Sequence, residues 1–107
     1  MLYCFKSKAG ADVVMLAESG DAVLRLMGRS PAPQGILEAA ALPGLIHALE
    51  AGVADDEAQF QRDVDAARAA GQAEPRRQGV SLRQRAWPLR ELMQRSVQEN
   101  VDVVWGV

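Results

Sequence analysis

Hydrophobic and polar residues follow two different periods along the chain, and each period predicts a different kind of element. Residues 2–7 and 12–16 are short apolar and aromatic runs separated by a turn at Gly10, and they predict a β-hairpin. After Asp12 the second run is apolar throughout, so we expect its strand to be covered on both faces. Residues 101–107 alternate in side-chain direction and predict a terminal strand that pairs with the hairpin.

The segment after the hairpin predicts a short helix. Ser19 is the expected N-cap, because its hydroxyl can accept a hydrogen bond from an otherwise unpaired amide of the first turn. Gly28 is the expected stop. Residues 30–35 are rich in proline and form a loop. Ile36 and Leu37 fit either a brief extended segment or a third small strand, and the sequence does not decide between them.

Residues 39–70 carry apolar side chains at spacings of three and four, which is the period of a helix with one buried face. The sequence leaves open whether they form one bent helix or two, the second capped by Asp55 or Asp56. Residues 71–80 are polar and contain Glu-Pro and Arg-Arg pairs, so we expect a mobile loop there.

The C-terminal segment predicts a helix that begins after Ser81, a good N-cap, and ends at Asn100. Pro88 complicates it, because proline cannot donate to the preceding turn and restricts Trp87 before it. We expect either a kink, or a short turn that ends near Trp87 and a new helix with Pro88 at its first position.

One side of this helix carries a ridge, which we define as Arg83, Trp87, Arg90 and Gln94, spaced four, three and four apart. Two guanidinium groups, an indole and an amide in a row can hold a carboxylate, a phosphate or an acidic partner segment. With Arg85 these are the candidate binding residues. The alternative is structural: Trp87 packs under a neighbouring loop, and the arginines are solvated or paired within the chain.

Together these elements predict a single α+β domain over residues 1–107. A small antiparallel or mixed sheet, made of the N-terminal hairpin and the C-terminal strand, packs against three to four helices.

Charge and composition narrow the class of function. Hydrophobic residues make up 49% of the chain, charged residues 24%, and the net charge is −2, so bulk nucleic-acid binding is not expected. The acidic residues concentrate between residues 50 and 65, and six of the ten arginines lie between residues 76 and 95, so we expect the two segments to lie close and partly neutralise each other. A single cysteine, no signal-like start and no long apolar run predict a cytoplasmic protein without a membrane span.

No catalytic, metal or cofactor site is predicted. His47 is the only histidine and is expected at the surface. Cys4 is expected to be a small buried residue rather than a reactive thiolate. The acidic run 55–57 lacks the glycine turn and the ligand spacing of a calcium loop, so we interpret it as a solvated helix start.

Several segments resemble one family of small bacterial proteins, the domain of unknown function 1840, over nearly the whole chain. They are residues 1–8, 12–15, 35–37 and 42–43, with 81–89 and 103–106 as the most specific. The resemblance implies a small, free-standing cytoplasmic protein and brings no catalytic residue with it.

The leading functional hypothesis is therefore a non-enzymatic interaction or regulatory module. It would bind a protein partner, or itself as a homo-oligomer, through the C-terminal helix and an exposed sheet edge. The alternative is a protein that binds or acts on a small anionic ligand through Arg83, Arg85 and Arg90.

Overall fold

The computed structural model describes residues 2–77 and 79–107, and over these residues the chain forms a four-stranded sheet and three helices. In chain order the elements are β1 Leu2–Ser7, β2 Gly10–Leu16, α1 Ala17–Leu26, β3 Gly35–Leu37, α2 Leu42–Ala69, α3 Leu82–Glu99 and β4 Val103–Trp105. The strand order is β2-β1-β4-β3, and the three pairings are antiparallel. This is the predicted α+β fold, with the terminal strand joined to the hairpin.

One face of the sheet forms the core together with the helices. Phe5 is fully buried there, and Trp105 is 4% exposed with its ring centroid 5.7 Å from that of Phe5. The short segment that the sequence left undecided is the strand β3, and its Gly35 pairs with Trp105. A Cβ on Gly35 would lie 2.3 Å from the Trp105 ring, so glycine is what lets the indole pack across this strand.

The first helix begins earlier than predicted. The strand β2 runs directly into α1, whose N-cap is Leu16 in an extended conformation with no side-chain cap. Ser19 therefore lies inside the helix and is buried, where its hydroxyl accepts a hydrogen bond from Arg85 Nη1 at 3.3 Å. The predicted stop is confirmed: Gly28 has φ +76°, and the amide of Arg29 donates to the carbonyl of Leu24 at 2.8 Å.

Residues 42–69 form one helix rather than two. Asp55 and Asp56 lie in its interior, so the predicted cap there is wrong, and the acidic run is not a helix start. Gly52 does not interrupt the helix. A Cβ at this position would lie 2.7 Å from Leu26 Cδ2, so the missing side chain lets α1 approach α2. Beyond Val53 the helix has no buried residue among those described.

The C-terminal helix continues through Pro88, so the predicted break near Trp87 is wrong. Ser81 caps it as predicted: its hydroxyl accepts from the Gln84 amide at 3.2 Å, and the Gln84 side chain accepts from the Ser81 amide at 3.2 Å. Asn100 ends the helix in a left-handed conformation with φ 54°. Of the predicted loop, residues 72–77 form neither helix nor strand, and Gln78 lies outside the described residues.

Candidate protein-interaction surface

The ridge on α3 forms as the spacing predicts, because the helix is continuous. The Arg90 guanidinium carbon lies 4.6 Å from the centre of the Trp87 ring, and that of Arg83 lies 6.0 Å from it. Both distances fit a cation–π contact. Trp87 is 42% exposed, and Gln94 is exposed one turn beyond Arg90. The structure thus brings the four ridge residues onto one side of the helix.

The ridge arginines are already paired with α2. Arg83 Nη2 lies 2.8 Å from Glu57 Oε1, and Arg83 Nε donates to Glu57 Oε2 at 3.1 Å. This two-pronged contact lowers the pKa of Glu57, chiefly through its hydrogen bond with Arg83. Arg90 contacts Glu91 at 2.9 Å and Glu50 at 3.5 Å. The acidic middle and the basic end of the chain therefore lie together, as their charges predicted.

Arg85 does not belong to the ridge. It faces α1 instead, where its Nη1 donates to Ser19 Oγ at 3.3 Å. Its Nε atom is buried with no hydrogen-bond partner among the described residues. The fifth candidate binding residue is thus a contact between helices, and the structure does not bring it to the other four.

A second surface, which the sequence did not indicate, is the face of the sheet that the helices leave uncovered. We call it the open face. Its exposed apolar residues are Leu2 at 60%, Val14 at 58%, Leu16 at 68% and Ile36 at 41%. The register places Leu2 beside Leu16, Cys4 beside Val14, and Val104 beside Ile36 and Lys6, so these side chains form one continuous surface across the four strands.

The expectation that β2 is covered on both faces is therefore wrong. The strand lies at an edge of the sheet, and only its core-side residues Val13 and Met15 face the helices. The prediction that Cys4 is buried is also wrong. Cys4 is half-buried on the open face, and its thiol lies 3.7 Å from Asp12 Oδ2. An apolar run looks the same in sequence whether its second face is covered or open. The polar neighbours Lys6 and Asp12 were the available signal, since they occupy the same face.

A protein-family model matches nearly the whole chain. The family model "Domain of unknown function (DUF1840)" matches residues 1–105 of the 107 in the chain. The chain belongs to this family. Searches of curated proteins and of solved structures found no match.

Over residues 2–77 and 79–107, no cluster of three or more His, Cys, Asp or Glu side chains is arranged to hold a metal ion. His47 is exposed, as predicted. Among the described helices, none combines the length and the apolar character that crossing a membrane requires.

Proposed function

We propose that this DUF1840 protein is a non-enzymatic interaction module whose docking surface is the open face together with the edge of β2. The observation that supports it most is the exposure of Leu2, Val14, Leu16 and Ile36 on one face of one sheet. Single exposed apolar residues are normal, but a continuous patch across several strands is typical of a binding surface.

The β2 edge lies directly beside this patch. Val14 and Leu16 belong to both, because β2 is an outer strand and these two side chains point to the open face. The strand has seven residues, and its only charged residue is Asp12. Natural proteins usually protect such an edge with lysines, prolines, a bulge or a covering segment. The strand β2 contains no lysine or proline, and its register irregularity lies near its start, between Val13 and Gly10.

The patch size and the free edge indicate the kind of partner. Six residues at about 3.3 Å and four strands at about 4.8 Å give a footprint of at most roughly 400 Å², whereas a stable interface needs about 800 Å² per partner. Face-to-face contact with a second copy would therefore be weak. An extended partner segment that pairs with β2 adds backbone hydrogen bonds to the apolar contact. We take the partner to be such a segment, with apolar side chains at alternate positions that cover Val14 and Leu16.

Two valine substitutions test the surface with a matched control. Val14 on the open face and Val80 before α3 are 58% and 57% exposed, so Val14→Lys and Val80→Lys add the same charge at equal exposure. Both variants should fold, because surface substitutions usually change stability by only about 0.5 kcal/mol. Affinity capture from cells of the source organism, followed by mass spectrometry, should recover a protein with the wild type and with Val80→Lys but not with Val14→Lys.

The result that contradicts the proposal is a set of captured proteins that is empty or identical for all three baits. Sedimentation velocity at increasing protein concentration distinguishes a partner segment from a second copy of this chain as the occupant of the surface. Self-association that Val14→Lys abolishes would keep the surface but replace the partner segment with a second copy. A further bait, Trp87→Ala, tests the ridge in the same capture experiment. It removes the exposed indole, and exposed aromatic residues often dominate the binding energy of an interface.

Anion binding through the ridge arginines Arg83 and Arg90 is the alternative function; Arg85 drops out of it, because it faces α1. Its support is the buried Nε atom of Arg90, which has no hydrogen-bond partner among the described residues. An anion at Arg83 would have to displace Glu57 from its two hydrogen bonds. If that happens, phosphate should raise the melting temperature of the wild type and not of Arg83→Ala; equal shifts in both would exclude this site.

A further inference from the structure

The two lysines of this chain lie in one place. The sequence has ten arginines and only two lysines, Lys6 and Lys8, and both lysines line the same open cleft of about 500 Å³. The cleft lies where the turn between β1 and β2 meets the loop between α3 and β4. Its other lining residues are Ser7, Asn100, Val101, Asp102 and Val104. This location is separate from the ridge on α3.

The lysines differ from the ridge arginines in their surroundings. Among the ion pairs of the described residues, neither Lys6 nor Lys8 takes part, whereas Arg83 and Arg90 are both paired with glutamates. Among the described residues, Asp102 is the one carboxylate that lines the cleft, and its Oδ1 already accepts a hydrogen bond from the Ala39 amide at 2.7 Å. Two cations thus face one anion that is held by the backbone.

The walls of the cleft combine charge with apolar surface. Val101 and Val104 line it together with Lys6, Lys8 and Asn100. A volume of this size holds a small ligand, and the two valines add apolar wall to a lining that is otherwise polar or charged. A lysine ammonium is a compact charge on a flexible stem, so it can follow an oxyanion without a fixed geometry.

We infer that this cleft binds a small molecule with an oxyanion at one end and a short hydrocarbon part at the other. Lys6 and Lys8 contact the oxyanion, and Val101 and Val104 contact the hydrocarbon. Carboxylates and phosphate monoesters share this chemistry. The cleft shares Lys6 and Val104 with the open face, but the inference requires neither Val14 nor Leu16.

Calorimetric titration of the 107-residue chain with hexanoate, butyl phosphate and inorganic phosphate tests it. At least one of the two amphipathic probes should bind with saturation and more tightly than inorganic phosphate, because only they reach the valines. Which of them binds more tightly assigns the head group. Lys8→Gln should weaken that binding about tenfold, the order expected for losing one charged hydrogen bond, and Lys6→Gln should do the same.

Arg76→Gln is the matched control, since it removes one positive charge from the loop before α3 and should leave the affinity unchanged. An amine-reactive reagent gives a second readout, because the two lysines are the only side-chain amines, and the bound probe should slow their modification. No saturable binding at about 10 mM of any probe would overturn the inference. Equal weakening in Arg76→Gln and Lys8→Gln would also overturn it, because it would mean that net charge rather than the cleft attracts the anion.

Discussion

Replacing Gly20 with alanine should destabilise this protein, although the same change in an ordinary helix stabilises it. Gly20 lies inside α1, where alanine is favoured over glycine by about 1 kcal/mol. A Cβ at this position would lie 2.0 Å from Cδ2 of the Tyr3 ring. That ring cannot easily move away, because it is 3% exposed, is stacked on Phe5, and donates its hydroxyl hydrogen to Asp21.

The balance of these two effects gives the expected magnitude. Forcing extra atoms into a packed core costs about 1–3 kcal/mol, and a 2.0 Å approach belongs at the upper end. Subtracting the gain in helix propensity leaves a net loss of about 2 kcal/mol. For a domain of this size about 1 kcal/mol corresponds to roughly 4 °C, so the melting temperature of Gly20→Ala should fall by about 8 °C.

Gly44 provides the matched control. It lies in the first turn of α2, and a Cβ there would meet no atom of the described residues within 4 Å. Gly44→Ala should therefore show only the propensity term and stabilise the protein by up to about 1 kcal/mol. Urea unfolding followed by circular dichroism measures both variants on one scale. The two identical substitutions should differ by about 3 kcal/mol, with opposite signs relative to the wild type.

A Gly20→Ala variant as stable as the wild type would refute the packing argument, because it would mean that the Tyr3 ring does not lie against this helix. The double variant with Tyr3→Leu locates the cause. If the clash is with the ring, Gly20→Ala should cost less in the Tyr3→Leu background than alone, since residues in contact are not additive. An unchanged cost would assign the loss to the helix backbone instead.

Three further measurements test other parts of the fold. Ser81→Ala should lower the free energy of unfolding by about 1 kcal/mol through loss of the helix cap, whereas Ser30→Ala in an exposed loop should leave it unchanged. Tyr3 is the only tyrosine, and burial, followed by its hydrogen bond to Asp21, raises its pKa. Its ultraviolet titration should therefore have a midpoint above pH 10, and Asp21→Asn should lower that midpoint. Because the raised pKa favours the neutral phenol in the folded state, the stability it contributes is complete below about pH 10 and is lost as the pH rises through the folded pKa. Leu89→Ala should cost about 2–5 kcal/mol in urea unfolding, because Leu89 is fully buried.

Periodicity was sufficient to predict most elements of this fold, but it could not place their ends where packing decides. The hairpin, the terminal strand and the C-terminal helix follow from residues that point to one side at the correct spacing. The start of α1 does not follow from the spacing. Ser19 is a good cap residue, but it lies inside the helix and is buried against Arg85. A capping preference of about 1 kcal/mol is easily outweighed by such packing.

The open face was missed for a different reason. Val14 and Leu16 are as apolar as the buried Met15 between them, yet they are 58% and 68% exposed. Burial of the second face of a strand depends on whether another layer of chain covers it, and that is a property of the topology. With three helices described and all of them on the core side, none remains to cover this face.

The packing around Pro88 determines which ridge residues remain available to a partner. Proline removes the hydrogen bond to the Gln84 carbonyl, but Gln84 and Pro88 are both exposed, so water can solvate that carbonyl and the cost is smaller than in a core. The buried residues Ala86 and Leu89 lie on either side of the proline and hold the helix to the core across it. Because the helix continues, Arg83 and Arg90 reach the glutamates of α2, so their guanidinium groups first serve the contact between the two helices. Of the ridge residues, Trp87 and Gln94 then remain available to a partner, which is why we propose the open face, rather than the ridge, as the docking surface.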